Sequence, residues 1–140
     1  MTLNFAPKNN PRVIIIQKIY SKFINDNDVI TYPKHRFKKF IKDVVTGTIE
    51  RNDVICEEIL KHLGSDLKLN NMDKLFQVII KCAIFEFLYK TKISKKIIIK
   101  EYLNASNFFI TNEQTKYLNA LLDKIVKKIR TNDEWIWFNK

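Results

Sequence analysis

The side chains that most often carry catalysis are few in this chain. His35 and His62 are the only histidines, and neither stands beside a cysteine or carboxylate at the spacing of a metal site. Cys56 and His62 could in principle pair as nucleophile and base. Six residues apart on a helix, however, they lie far from each other around its axis, and a cysteine in an apolar pattern is far more often part of the core. We therefore expect no enzyme, no metal and no cofactor.

Glycine and cysteine usage narrows the function classes further. Only Gly47 and Gly64 are available, so no glycine-rich loop can cradle a phosphate, which excludes the common nucleotide folds. Cys56 and Cys82 are too sparse for a disulfide framework and suit a reducing compartment. The N-terminus lacks a signal-peptide core and no apolar stretch reaches about 18 residues. These features predict a cytoplasmic protein without a membrane span.

Four polar residues remain as candidates for polar contacts inside the fold. Glu86 and Glu101 each interrupt an apolar run, and a partly buried carboxylate is normally paired or hydrogen-bonded. Asn119 and Asp123 are four apart on one face of the last predicted helix and could tie that helix to a neighbour. We interpret Glu86 and Glu101 as structural rather than catalytic, and Asn119 and Asp123 as structural rather than binding residues.

The net charge of +10 favours a polyanionic partner, because neutralised phosphates release counterions. Nucleic acid is the leading class. The alternative is that an AT-rich codon usage supplies surplus lysines that merely solvate the surface. Only four arginines occur, which fits that alternative: Arg12, Arg36, Arg51 and Arg130.

The elements that must position these residues are predicted to be helices. Asn10-Pro11 resembles an N-cap followed by proline at the first helical position, which predicts a helix over about residues 11–25. The run Val13–Ile16 would by itself suit a buried strand equally well.

The middle of the chain carries helical apolar faces. One face is formed by Phe37, Phe40, Ile41, Val44, Val45 and Thr48, and a second by Val54, Ile55, Ile59, Leu60 and Leu63. Gly47 interrupts the first with a missing side chain that close helix packing can use, and Gly64 is a plausible stop. One long bent helix or two consecutive helices would satisfy this pattern.

The second half predicts three further elements. Asn70–Asp73 resembles a cap before an apolar, central helix over Leu75–Tyr89. Residues 92–100 are basic and locally strand-like, but helical periodicity continues through 101–109. Thr111 and Gln114 have capping-box spacing before a last helix that runs to about Arg130. Together these patterns predict five to seven helices and no sheet. The aromatic tail Trp135–Phe138 is expected to dock on the domain.

One nonapeptide near the C-terminus, Lys116-Tyr117-Leu118-Asn119-Ala120-Leu121-Leu122-Asp123-Lys124, resembles the signature of the NusB transcription antitermination family. Further landmarks occur in the family's order: Arg12, Gln17, Tyr20, Phe85-Glu86 and Glu101. The resemblance favours helix over strand for Val13–Ile16. It implies an all-α fold of two packed bundles, an N-terminal one over about 8–64 and a C-terminal one over about 70–130. The family pattern ends near Arg130, so the resemblance says nothing about the tail at 131–140.

The resemblance also implies a function. Proteins similar to NusB are not enzymes; they bind boxA RNA together with NusE, a small ribosomal subunit protein, in a complex that lets RNA polymerase pass terminators during ribosomal RNA transcription. Combined with the basic charge of the first helix, it predicts RNA contacts at Lys8, Arg12, Gln17, Lys18, Tyr20, Lys116 and Tyr117. Glu113 and Tyr117 are the predicted partner-binding residues, because Glu113, Lys116 and Tyr117 share one side of a helix.

The chain departs from the family pattern before the first helix, where Pro7–Pro11 replaces an arginine cluster, and at Ser94 and Lys100, which replace a proline and an asparagine. One alternative function is a protein-only interaction module or homodimer of the same fold. Another is the related domain attached to RNA methyltransferases, which would precede a longer catalytic portion. Because no extended heptad seam is present, we expect a monomer or weak homodimer.

Overall fold

A computed structural model of the protein describes residues 9–63 and 72–130, and within these ranges every regular element is a helix. The helices are α1 Pro11–Ile24, α2 Lys38–Glu50, α3 Asn52–Leu63, α4 Lys74–Tyr89, α5 Lys95–Ser106 and α6 Asn112–Ile129. The predicted all-α class is confirmed, and the described helices number six, within the predicted five to seven. Lys8, Gly64, Asn70, Asn71 and the aromatic tail lie outside the described residues.

The central helix is α4, as its apolar sequence predicted. Its side chains from Val78 to Phe87 are buried without interruption, and it packs against each of the other five described helices. Fully burying one Ile or Phe side chain contributes about 1.5–3 kcal/mol, so this run anchors the core. Tyr89, at the end of the predicted buried stretch, is exposed.

The first helix resolves the ambiguity between strand and helix. The Asn10 side chain accepts hydrogen bonds from the backbone N–H groups of Arg12 and Val13 at 3.0 and 3.3 Å, and Pro11 occupies the first turn. Val13 to Ile16 are all buried. Tertiary burial on a capped helix therefore outweighs the strand preference of this β-branched run.

The middle apolar segment forms two helices rather than one. Arg51 separates α2 from α3, and its backbone N–H bonds to the carbonyls of Gly47 and Ile49. Gly47 packs where a side chain cannot fit, because a Cβ there would lie 2.3 Å from two carbons of the Phe85 ring. The predicted use of Gly47 for close helix packing is confirmed.

The predicted apolar faces of α2 and α3 are too wide. Ile55 and Ile59 are buried, but Val54 is 42% exposed and Leu60 65% exposed. Phe37 is 44% exposed and stands at the N-cap position of α2 rather than inside it. Helical periodicity marks an apolar stripe, whereas the neighbours that cover it decide how wide the buried part becomes.

Helices α5 and α6 begin with side-chain caps. Ser94 Oγ accepts from the backbone N–H of Ile97 at 3.2 Å, so the serine that replaces the family's proline starts α5, and the strand-like run Ile97–Ile99 is helical. The predicted capping box is present: Thr111 Oγ1 accepts from Gln114 N–H at 3.1 Å, and Gln114 Oε1 accepts from Thr111 N–H at 3.0 Å. Local sequence signals therefore locate both starts.

Arg130 fixes the C-terminal end of α4. Its guanidinium donates to the backbone carbonyls of Glu86, Phe87, Lys90 and Ile93 at 3.2, 3.0, 3.0 and 2.6 Å. A cation at this end of a helix satisfies terminal carbonyls and complements the helix dipole. The end of α6 is thereby tied to the central helix.

The division into two bundles stays a prediction. Contacts cross the expected boundary near residues 64–70, since α4 packs on α1, α2 and α3, α6 packs on α3, and α5 packs on α1. The buried side chains of all six helices form one apolar cluster.

Candidate nucleic-acid interface

Arg12 and Glu86 form a buried ion pair that joins α1 to α4. Arg12 Nε donates to Glu86 Oε2 at 3.0 Å, and Nη2 donates to Oε1 at 2.6 Å. The hydroxyl of Tyr102, from α5, also donates to Glu86 Oε2. The guanidinium carbon lies 5.0 Å from the centroid of the Phe40 ring in α2 and 5.4 Å from that of Tyr102. Four helices therefore meet at this network.

The network shifts the pKa values of its members. Burial lowers the pKa of Arg12, but the acidic groups of Tyr102, Glu86 and Glu101 raise it, and the net change is upward. Burial raises the pKa of Tyr102 well above its ordinary value, and the nearby Glu86 charge raises it further. Both residues therefore hold their protons at neutral pH, with Arg12 charged and Tyr102 neutral.

This geometry argues against the RNA contact predicted for Arg12, which stays an untested prediction. The side chain was expected to contact RNA, but it is only 7% exposed and both of its bonds to Glu86 point inward. A phosphate contact requires an exposed guanidinium. Glu86 is fully buried and its carboxylate oxygens accept hydrogen bonds from Arg12 and Tyr102. Its structural role stays a prediction. Glu101 is half-buried and close enough to influence Arg12.

The other residues predicted along α1 remain near the surface. Gln17 is exposed, Lys18 is half-buried, and Tyr20 is half-buried with its ring packed against the core. Of these three, Gln17 and Lys18 offer polar groups to a ligand, whereas Tyr20 offers only part of its ring.

The start of α6 forms a second surface. Glu113, Lys116 and Tyr117 are all exposed, while Leu118, Leu121, Leu122 and Ile125 are buried as the predicted inward stripe. Tyr117 is 48% exposed, and its ring stacks on Phe76 of α4 with ring centroids 5.6 Å apart and an angle of 19° between the planes. Tyr117 is thus a surface residue whose ring is held by a neighbour.

Arg12 and Tyr117 contact α4 toward its opposite ends. Arg12 meets α4 at Glu86, whereas Tyr117 meets it at Phe76. Ten residues of α-helix span about 15 Å along the axis. The predicted site residues therefore do not converge on one pocket, and an elongated ligand is the kind that could touch both surfaces.

Among residues 9–63 and 72–130, no hydrogen bond or ion pair joins Asn119 or Asp123 to a neighbouring helix. Both are exposed, and Asp123 Oδ2 lies 3.2 Å from Lys127 Nζ within α6 itself. The two residues line an open groove between α5 and α6 together with Lys96, Ile99, Lys100, Leu103 and Asn104.

Sequence reasoning missed two features near the start of α1. Tyr102 was not singled out, although its spacing from Ile98 marks the buried face of α5. The exposed ring of Phe37 was assigned to an apolar face, although a lysine or arginine stands on each side of it in sequence, at Arg36 and Lys38. An aromatic residue between two cationic residues is the sequence signal that could have indicated a surface position for Phe37.

Among residues 9–63 and 72–130, no group of three or more His, Cys, Asp or Glu side chains could hold a metal ion. No described helix is long and apolar enough to cross a membrane.

The fold and these surfaces define an all-α protein with a buried Arg-Glu-Tyr network and separate polar surfaces, and comparisons identify the family. The NusB family model matches residues 9–127. The solved structure of T. maritima NusB has a TM-score of 0.73 and 22% identity, and the match covers 88% of this chain and 92% of that one. The chain belongs to the NusB family.

Two relatives illustrate the range of the match. The transcription antitermination protein NusB of Rickettsia bellii (strain OSU 85-389) is 30% identical over 125 residues, covering 84% of this chain and 78% of that protein. The protein of the same description from Psychromonas ingrahamii is 27% identical over 95 residues, covering 68% of this chain and 64% of that protein. The resemblance inferred from the nonapeptide is confirmed.

Proposed function

We propose that this protein is a transcription antitermination factor that binds boxA-type single-stranded RNA together with NusE, as part of the RNA polymerase antitermination complex in ribosomal RNA transcription. Membership of the NusB family supports this proposal, since relatives across most of the chain carry the transcription antitermination description. The net charge of +10 favours the same class of ligand.

The observation that carries the proposal is the half-exposed Tyr117 ring stacked on Phe76. The stack holds the ring at a fixed angle, so little side-chain entropy is lost when a base or a protein side chain packs on its open part. Lys116, exposed beside it, supplies a cation for a phosphate, and Glu113 one turn earlier can meet a basic partner. RNA and NusE would then share the start of α6.

The first helix contributes the second contact in this proposal. Because Arg12 is buried, Gln17 and Lys18 are the polar groups of α1 that we assign to the RNA contact. Tyr20 lies at the edge of this contact. Lys8, which precedes the described residues, is also assigned to it. A strand that follows the surface between α1 and α6 would be bound through several weak contacts rather than one pocket.

The test is a titration of a short labelled boxA-like RNA, with a scrambled RNA of equal length, in the presence and absence of NusE. We expect tighter binding of the boxA-like RNA when NusE is present. Lys18→Glu should weaken binding several-fold, whereas the matched exposed variant Lys61→Glu, on α3, should have little effect. Equal affinity for both RNAs, unaffected by NusE, would instead favour the protein-only alternative.

Light scattering addresses the same alternative. A monomer or weak dimer that gives way to a complex with NusE agrees with the proposal. A tight homodimer that persists after NusE is added contradicts it.

A further inference from the structure

The segment before and within the first turns of α2 presents an unusual surface. Residues 34–42 contain five cations and no acid, and the nearest acidic residues in sequence are Asp28 and Asp43. We call these cations together with Phe37 the α2 basic surface: Lys34, Arg36, Phe37, Lys38, Lys39 and Lys42. All six side chains are exposed.

None of these five cations forms an ion pair with a carboxylate of the described residues, although Lys90, Lys127 and Arg12 elsewhere do. Clustered like charges repel one another, and cations near the start of a helix also oppose its dipole. The first turn of α2 carries no acidic residue that would offset this. The surface therefore lowers the stability of the isolated protein, and such local conflicts concentrate at functional sites.

Phe37 lies in the middle of these charges and is held in place. The guanidinium carbon of Arg36 lies 5.0 Å from the Phe37 ring centroid. The backbone N–H of Phe37 donates to His35 Nδ1 at 2.9 Å, so the proton of the imidazole is on Nε2, which donates to the carbonyl of Asn9 at 3.2 Å. These bonds tie the segment to the start of α1, and the Phe37 side chain stays exposed to solvent.

We propose that the α2 basic surface binds single-stranded RNA next to the segment recognised through α1 and α6, with a base stacked on Phe37 and phosphates on Arg36 and Lys38. The choice of RNA over DNA rests on the proposed function; the choice of a single strand does not. A duplex hides the faces of its bases, whereas a single strand exposes them for stacking on an aromatic ring among cations.

The α2 basic surface lies where a neighbouring stretch of the RNA strand bound by α1 could reach it. His35 contacts the carbonyl of Asn9, the residue before the N-cap of α1, and Phe40 of α2 lies against Arg12 in the first turn of α1. The α2 basic surface thus adjoins the start of α1, at the end of α4 opposite to Tyr117. RNA that leaves the first helix in this direction would meet Phe37 and its cations.

The experiment compares a boxA-like RNA alone with the same RNA carrying an oligouridine extension on either end. For the wild-type protein, we expect the extension on one end to increase affinity. Arg36→Gln with Lys38→Gln should abolish that gain and reduce the slope of log affinity against log salt for the extended RNA by about 1.4, since each single-strand phosphate contact contributes about 0.7. Phe37→Leu should weaken the extended RNA about tenfold, the loss of one stacked base.

A matched control removes two exposed lysines elsewhere. Lys61→Gln with Lys124→Gln has the same net charge as the Arg36→Gln, Lys38→Gln variant and should keep the gain from the extension. All variants should bind the unextended RNA with nearly wild-type affinity. An oligouridine without boxA separates the two proposals, because the α2 basic surface should still bind it weakly if boxA recognition itself fails.

The inference would be overturned by no gain from either extension, by an equal gain in all variants, or by an equal loss in the control. Loss of NusE binding in the Arg36→Gln, Lys38→Gln variant, with extended RNA unaffected, would assign the surface to a protein partner and also overturn it.

Discussion

Arg12 and Glu86, 74 positions apart in sequence, form a bidentate ion pair in which Glu86 is completely buried. Two charges taken out of water stabilise a fold only weakly as a pair, but each becomes costly once the other is removed. The relationship therefore fixes how α1 lies on α4 more than it adds to total stability. It also explains why a residue expected to contact RNA faces the core.

The first prediction concerns this pair. Arg12→Met should lower the free energy of unfolding by about 3–5 kcal/mol, because it leaves the Glu86 carboxylate buried without its partner. Adding Glu86→Gln should recover part of that loss, since the amide is neutral and its oxygen can still accept the Tyr102 hydrogen bond. Urea denaturation at neutral pH measures both. If the losses in free energy of unfolding caused by Arg12→Met and by Glu86→Gln simply add in the double variant, the two charges do not act as a pair.

The second prediction concerns the contact between α2 and α4. Gly47→Ala should destabilise the protein by about 1–3 kcal/mol through overpacking against Phe85, despite the gain of roughly 1 kcal/mol in helix propensity. Thr46→Ala, at the preceding exposed position of α2, is the matched control and should be neutral or slightly stabilising. Phe85→Leu should relieve the Gly47→Ala variant if the ring is the obstacle. Equal melting temperatures for the Gly47 and Thr46 variants would contradict this close approach.

Local signals account for the elements that the sequence predicted well. Asn10-Pro11 and the Thr111–Gln114 pair each act within three or four residues, so their geometry follows from the residues themselves. The burial of α4 likewise follows from a composition that leaves no polar face to expose.

Long-range pairing accounts for what the sequence could not predict. Glu86 stood out as a carboxylate within an apolar run, but nothing local identified Arg12 or Tyr102 as its partners, because the packing of α1, α4 and α5 brings them together. The same limit applies to Leu60, which has helical spacing for the core but no neighbour to cover it. Asp123 shows the converse: it was expected to reach another helix, yet a lysine one turn away in α6 is its partner.

The third prediction concerns alkaline pH. Burial raises the pKa of the Cys82 thiol well above its ordinary value, and the Glu86 charge raises it further. Above about pH 8.5, the ordinary value for a thiol, the unfolded chain loses this proton while the folded protein keeps it. The unfolded state then binds fewer protons, so stability should fall as pH rises, by at most about 1.4 kcal/mol per pH unit from this group.

Comparing variants separates the contribution of the Cys82 thiol to the pH dependence of stability from that of the lysines, which also titrate at alkaline pH. We expect the free energy of unfolding of Cys82→Ala to fall less steeply than that of wild type between about pH 8.5 and 9.5, even though the variant is less stable at neutral pH. Cys56→Ala, measured in parallel, accounts for general effects of removing a thiol. Parallel pH curves for wild type and Cys82→Ala would show that the thiol titrates alike in both states.

The last prediction concerns Tyr117 and its stack on Phe76. Tyr117→Ala removes the aromatic contact, so a stability loss of about 0.5–1.5 kcal/mol is expected, small enough to leave the protein folded. If the exposed part of the ring packs on a base or a NusE side chain, the same variant should weaken the ternary complex by about 1–3 kcal/mol. Tyr117→Phe keeps the ring and loses only the hydroxyl, so it should retain stability and most of the RNA affinity. Isothermal titration with and without NusE, beside thermal melts of each variant, measures both effects. A Tyr117→Ala protein that melts far below wild type while its folded fraction binds normally would make Tyr117 a packing residue and remove the start of α6 from the proposed interface.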